Sequence, residues 1–166
     1  MSPAPTRFRD PLHTKYQFVD SVLVRCPRCE RIAHVVPRAE AEPGARPGVF
    51  DPRSLVCRAC GLSRTWAERS VMFSGSSLAP ARDPYFRVPL WLRTGTRHGR
   101  LWAYNLEHLE LLRQFAAASL RERDPWYEHG RKMTYVARLP AWIKSAKNRD
   151  EVLRAVDRMR ASVTEA

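Results

Sequence analysis

No long apolar run occurs in this chain of 166 residues. The longest charge-free stretch is the twelve residues from Ser70 to Ala81, and its middle is polar. A membrane-spanning helix needs about 20 apolar residues, so none is expected. The opening MSPAPTRFRD holds no apolar segment of the kind a secretory signal carries, and a reducing, cytoplasmic setting is expected. Lysine is scarce: 25 of the 29 basic residues are Arg and 4 are Lys. Acids are short as well, 17 against 29 bases, which leaves a formal charge of +12. The motifs H-E-x-x-H, G-x-S-x-G, G-x-G-x-x-G and G-x-x-x-x-G-K-[ST] are all missing. With them go the usual signs of a metalloprotease, an α/β-hydrolase, a dinucleotide enzyme and a P-loop ATPase. Five His are scattered along the chain. Glu107, His108 and Glu110 fall close together on an expected helix, where such residues are usually solvated, so no enzyme is expected.

The composition that remains can build a core. Hydrophobic residues make up 44% and aromatics 10%, which excludes a fully disordered chain. The length suits one compact domain or two small ones. An excess of base on a small domain points to a polyanionic partner. Codon bias toward a GC-rich genome, also visible in 13 Pro, explains Arg over Lys but not the shortage of acids. Residues 51–100 are the most basic stretch, with nine bases against three acids.

All four cysteines fall into two C-x-x-C pairs, Cys26/Cys29 and Cys57/Cys60, with 27 residues between the pairs. In a reducing setting this pattern disfavours a disulfide framework. Two such pairs place four soft thiolates around one point, the tetrahedral geometry of a structural Zn²⁺ site. A redox C-x-x-C sits between a strand and a helix, whereas a Pro-bearing, strand-like segment follows the first pair here. An iron–sulfur cluster also takes four thiolates, and spacing alone does not separate it from zinc. A catalytic zinc keeps an open position, which four cysteines close. One structural Zn²⁺ per chain is therefore expected, lowering the folded charge by two. Arg25, Arg28, Arg31, Arg58 and Arg64 surround the knuckles, either to offset that negative charge or to grip phosphates.

The flanks agree with a strand on each side of each knuckle: Val22 to Val24 and Ile32 to Val36, then Leu55 to Val56 and Leu62 to Trp66. On these residues, 20 to about 68 resemble a zinc ribbon of the kind found in TFIIB-type transcription factors and RNA polymerase subunits. Pro27 and Gly61 stand where such knuckles often place them. Glu30 departs from the pattern, standing where Gly is more usual for a left-handed backbone. The Pro- and Gly-rich insert 37–53 is expected to be a mobile surface loop.

Residues 1–19 read as an extended arm with Phe8, Leu12, Tyr16 and Phe18 as possible anchors, and 69–86 as a connection. Residues 87–104 read as a second β-hairpin, with Val88 to Leu92 and Leu101 to Tyr104 flanking a turn that holds Gly95 and Gly99. Arg93, Arg97, His98 and Arg100 cluster about its tip, while Trp91 and Trp102 are expected in the core. Asn105 caps a helix running to about Arg123, with Leu106, Leu109, Leu112, Phe115 or Ala116, and Leu120 at helical spacing. A link holding Trp126, Tyr127 and Gly130 follows, then a short helical piece over Lys132 to Arg138. Trp142, Ile143 and Ala146 form an apolar stripe. Asn148 and Glu151 have the spacing of a capping box at the start of a last helix. Its apolar face, Val152, Leu153, Val156, Met159 and Val163, needs the helix at 105–123 as partner.

The expected class is therefore α+β: an N-terminal four-cysteine zinc ribbon, a second β-hairpin, and two or three C-terminal helices, the last two parts within residues 87–163. The stretch from Asp83 to about Arg160, with DPYF, LWAYNLEHLELL and RLPAWIKSAKNRDEVL, is similar to a family of small bacterial zinc-ribbon-containing proteins. Some of that family are described as related to a replication-restart helicase. The chain has no Gly-Lys pair and is too short for a helicase motor, so ATPase activity is not expected. The expected partner is DNA or RNA, bound with little sequence specificity through Arg93, Arg97, His98, Arg100, Arg58 and Arg64. The alternative is a protein-interaction adaptor docking on a larger transcription, replication or translation complex.

Overall fold

Each C-x-x-C pair folds as the spacing requires, because two residues between cysteines close a tight turn between antiparallel strands. The computed structural model describes residues 4–38, 43–73, 80–122 and 134–166. Strands β2 (Val22–Arg25), β3 (Ile32–Pro37), β4 (Arg53–Val56) and β5 (Ser63–Trp66) form one antiparallel sheet in the order β2-β3-β4-β5. Both knuckles lie at one end of it. The architecture is the α+β class expected, with the ribbon followed by a hairpin and helices. No helix among the described residues is long and apolar enough to cross a membrane.

Strand β2 reads Val-Leu-Val with all three side chains buried, which a strand covered on both faces demands. Its second edge is also filled. Trp91 N–H donates to the Leu23 carbonyl at 2.9 Å, Arg25 N–H to Pro89 at 2.9 Å, and Leu23 N–H to Tyr104 at 2.8 Å. The ribbon is thereby joined to the later half by backbone hydrogen bonds, and the buried apolar residues from Phe8 to Met159 form a single cluster.

This pairing corrects the expected hairpin. Residues 88–92 meet the ribbon through an isolated bridge of Val24 with Leu90, and the preceding connection through one of Arg82 with Pro89. The hairpin strands are β6 (Arg93–Thr96) and β7 (Gly99–Trp102), joined by Arg97 and His98. Trp91 and Trp102 are half-buried rather than fully enclosed. The connection before them is built into the core: Asp83 is buried and its carboxylate accepts from the N–H groups of Tyr85, Phe86 and Val88, each at 2.9 Å. The insert is tied down at its second end. Buried Arg53 donates to the Gly48 carbonyl at 2.8 Å and to the Tyr85 hydroxyl at 3.1 Å, and Tyr85 donates to the Val49 carbonyl at 2.8 Å.

Helix α1 (Leu106–Ala117) starts where expected. The Asn105 carboxamide oxygen accepts from His108 N–H at 2.8 Å, and its amide donates to Phe18 and Ser21 carbonyls at 2.9 and 2.8 Å. One side chain thus caps the helix and ties down the arm. The helix stops earlier than its periodicity predicts. Ser119 and Leu120 N–H both turn to the Thr6 carbonyl, and β8 (Leu120–Glu122) pairs in parallel with β1 (Arg7–Arg9). Leu120 is therefore an exposed strand residue, not part of the helical stripe. In the arm, Phe8 and Phe18 are buried as anchors, while Leu12 and Tyr16 are exposed.

Helices α2 (Ala141–Lys144) and α3 (Arg149–Thr164) complete the described chain. Helix α3 packs on α1 through Val152, Ala155, Val156 and Met159, and an Arg160–Glu110 ion pair spans the two. The capping box at its start does not form. Asn148 donates instead to the Trp142 carbonyl at 2.9 Å, and Glu151 turns to the hairpin. The expected helical piece at 132–138 is a 3-10 turn over Val136–Arg138. Its first two residues, and the link with Trp126, Tyr127 and Gly130, lie outside the described residues.

Candidate metal centre and basic cluster

The two knuckles share one hydrogen-bonded frame. Cys26 N–H donates to the Arg31 carbonyl and Cys57 N–H to Leu62, both at 2.8 Å. Glu30 N–H returns to Cys26 and Gly61 N–H to Cys57, both at 2.9 Å. That frame needs a left-handed residue after each second cysteine. Glu30 supplies it at φ 64° and Gly61 at φ 71°. The Glu30 side chain pairs with Arg25 at 3.0 Å.

The four sulfur atoms all lie within 4.8 Å of one another. Cys26 and Cys60 Sγ are 3.7 Å apart, and Cys29 and Cys57 Sγ 3.5 Å. A disulfide would need about 2.0 Å. A tetrahedron with metal–sulfur bonds of about 2.3 Å has edges of about 3.8 Å, close to the spacing present. Cys26 and Cys57 are buried and Cys29 and Cys60 half-buried. The four are positioned to hold one metal ion, and all four positions of a tetrahedral site are filled by protein.

The electrostatics of the thiols point the same way. Burial acts to raise the Cys26 thiol, but the amides of Cys29 and Arg28 and the thiols of Cys57 and Cys60 outweigh it and bring it down to about 6. At Cys29 the Arg31 amide acts to lower the thiol, yet burial and the three neighbouring thiols carry it up to about 12. A thiolate at Cys26 is favoured in this cage, and one at Cys29 beside it is disfavoured. A divalent cation removes that conflict.

The basic residues named from the sequence separate into three groups. Arg97 is held by Glu151 of α3 at 2.9 Å, and His98 lies 3.5 Å from the same carboxylate and stacks on Trp142. The hairpin tip is thus docked on a helix rather than projecting. Arg58 stands on the second knuckle and Arg64 on β5, the sheet edge remote from β2. Three strand spacings, about 14 Å, separate the edges. Arg93 and Arg100 share one face of the hairpin, since Arg93 opposes Trp102 and Arg100 opposes Gly95. Burial, and then the charges of Arg100, Arg25 and Arg82, hold Arg93 below the usual guanidinium range. Arg25 joins this cluster because β2 pairs with residues 89–91, and Arg82 because its own segment bridges Pro89. Local sequence carries no signal of it.

His108 corrects the expectation of a solvated Glu107/His108/Glu110 face. It is 0% exposed. Its Nδ1 accepts from Tyr104 N–H at 3.0 Å, so its proton sits on Nε2, which has no hydrogen-bond partner among the described residues. Phe18 stacks on the ring at 4.6 Å and Tyr135 stands perpendicular at 4.3 Å. Burial brings the imidazole down to about 3. It is a neutral core group, walled off from any substrate.

Comparison of the chain with protein-family models, curated proteins and solved structures returned no match.

Proposed function

We propose that this chain is a zinc-stabilised accessory protein of the cytoplasm that binds DNA or RNA with little sequence specificity. Its bacterial, TFIIB-type ribbon character belongs to the same proposal and rests on the sequence resemblance. Cys26, Cys29, Cys57 and Cys60 would hold the ion. In a closed site its part is structural, coupling metal affinity to folding of both knuckles. The role is binding rather than catalysis.

One observation carries the reading: Arg25, Arg82, Arg93 and Arg100 are gathered beside the first knuckle from three separate segments. Basic side chains gathered in this way attract a polyanion such as a phosphate backbone. The test is a titration of the zinc-loaded protein against labelled single- and double-stranded DNA and RNA at several salt concentrations. Micromolar binding with a steep salt dependence is the expected result. Absence of binding at low salt overturns it.

A second reading, a protein-interaction adaptor, is favoured by a different feature. Phe50 and Tyr16 are 66% and 49% exposed, and both line a groove with Lys15, Val49, Val71 and Phe73. Exposed aromatics of this kind often anchor protein partners. A specific protein retained in a native pull-down, lost on Phe50→Ala, would support it.

A further inference from the structure

A cleft of about 320 Å³ opens where the first knuckle, residues 90–94 and the last helix meet. Its volume lies at the lower end of the about 300–1,000 Å³ typical of small-ligand pockets. Arg25 comes from the ribbon, Arg93 from the hairpin and Arg158 from α3. The carboxylate lining it is Glu30, which pairs with Arg25. Neither Arg93 nor Arg158 has a carboxylate within ion-pair distance among the described residues. Three arginines thus line one space together with one acid.

The cleft also holds an aromatic wall. Trp91 lines it while half-buried, and its Nε1–H donates to Ser162 Oγ at 3.1 Å. Ser162 in turn donates to the Met159 carbonyl at 2.7 Å. The indole is therefore pinned by its polar edge to α3, and a pinned aromatic loses little entropy when a ring is laid on it. Arginine for phosphate and tryptophan for a base are the two halves of single-strand recognition. A duplex offers its phosphates but keeps its bases stacked inside, out of reach of a side chain held in a cleft.

We propose that this cleft is a subsite for one nucleotide unit of single-stranded nucleic acid, with Arg25, Arg93 and Arg158 on the phosphate and Trp91 against the base. The proposal rests on the nucleic-acid reading above and names where and how that reading would be realised. The crowding around Arg93 supports it, because burial and three like charges already disfavour that cation in the free protein and an anion relieves both. Arg25 must exchange Glu30 for the phosphate, so the acid acts as a competitor.

The experiment uses the full zinc-loaded chain and fluorescein-labelled oligothymidylate and oligouridylate of about twelve nucleotides, within the span that single-strand domains cover. A duplex of the same length is the third probe. Arg158→Glu and Arg93→Ala are each expected to weaken single-strand binding about tenfold or more and to flatten its salt dependence. Trp91→Leu should weaken it about tenfold, and Trp91→Phe should restore most of the loss. Glu30→Gln should tighten it. Arg113→Ala, an exposed change on α1, should leave it within about twofold. Thermal melts confirm that each variant is folded. Single-strand binding unchanged by Arg158→Glu and Arg93→Ala overturns the cleft while the nucleic-acid reading stands. Tighter binding of the duplex overturns the single-strand assignment. No binding of any probe by the parent chain overturns both.

Discussion

The knuckles and the surroundings of His108 both bury titratable side chains, and they meet the same electrostatic problem in opposite ways. At the knuckles four thiols lie within 4.8 Å of one another, close enough to hold one metal ion. In the later half His108 stands alone among Phe18, Tyr104 and Tyr135 and is kept neutral by burial. On the proposed reading the ribbon depends on a bound metal ion, whereas the core around His108 keeps charge out. Chelators and acid should discriminate between them.

The largest effect is expected from the metal. Cys57→Ser should abolish stoichiometric metal in native mass spectrometry, and with it a binding free energy of about 10 kcal/mol or more that holds the knuckles. A chelator should do the same to the parent chain. Full retention of metal by the Ser variant would break the four-cysteine half of the comparison.

The aromatic cage comes next. Phe18→Ala removes the ring stacked on His108 and leaves a cavity in a fully buried site. A loss of about 3–5 kcal/mol is expected from denaturant titration. If the cage excludes charge, the variant should also show a shallower decline in stability toward acid, because water gains access to the imidazole.

The acid response itself has a definite sign. The folded His108 titrates at about 3, below its ordinary value of 6.5. The unfolded chain then binds a proton that the folded chain refuses. Its contribution is present above about pH 6.5 and is lost as pH falls from there toward 3. Between pH 7 and 4.5 the loss should be about 2–3 kcal/mol. His108→Asn, which keeps an acceptor near Tyr104 N–H, should lower stability at neutral pH and remove that part of the slope. A slope identical to the parent's would assign the acid sensitivity elsewhere.

The smallest effect compares the knuckles with each other. Glu30 and Gly61 hold the same left-handed turn, but only one is glycine. Glu30→Gly relieves backbone strain at the expense of an exposed ion pair with Arg25, so a change within about 1 kcal/mol is expected. At Gly61 an added Cβ meets nothing within 4 Å, so Gly61→Ala should lose about 1 kcal/mol from its φ alone. Equal melting temperatures for the Gly61→Ala variant and the parent would show that neither knuckle strains its backbone.

Legibility in the sequence followed the range of the interaction. The four sulfurs were readable because two-residue spacing acts within a single turn. The Asn105 cap and the α3 face were readable for the same reason, both being set within a few residues. Helix α1 was extended too far because Thr6, more than a hundred residues away in the chain, competes for the N–H groups of Ser119 and Leu120. The Asn148/Glu151 box failed because Trp142 and Arg97 offered those side chains other partners. His108 was misplaced since one polar residue between Glu107 and Leu109 carries no mark of the rings that enclose it.

By itself, then, the amino-acid order determined a four-cysteine cluster, strands on both sides of each knuckle, two principal helices and a surplus of arginine. Each follows from local geometry or from a sum over composition. Only the tertiary structure decided which arginines meet. Pairing β2 with residues 89–91 brings Arg25 to Arg93, and docking α3 beside them adds Arg158 and fixes Trp91. The same docking withdraws Arg97 and His98 to Glu151. The reason is physical: backbone hydrogen bonds, side-chain burial and ion pairs such as Arg97–Glu151, all between distant segments, set these neighbours.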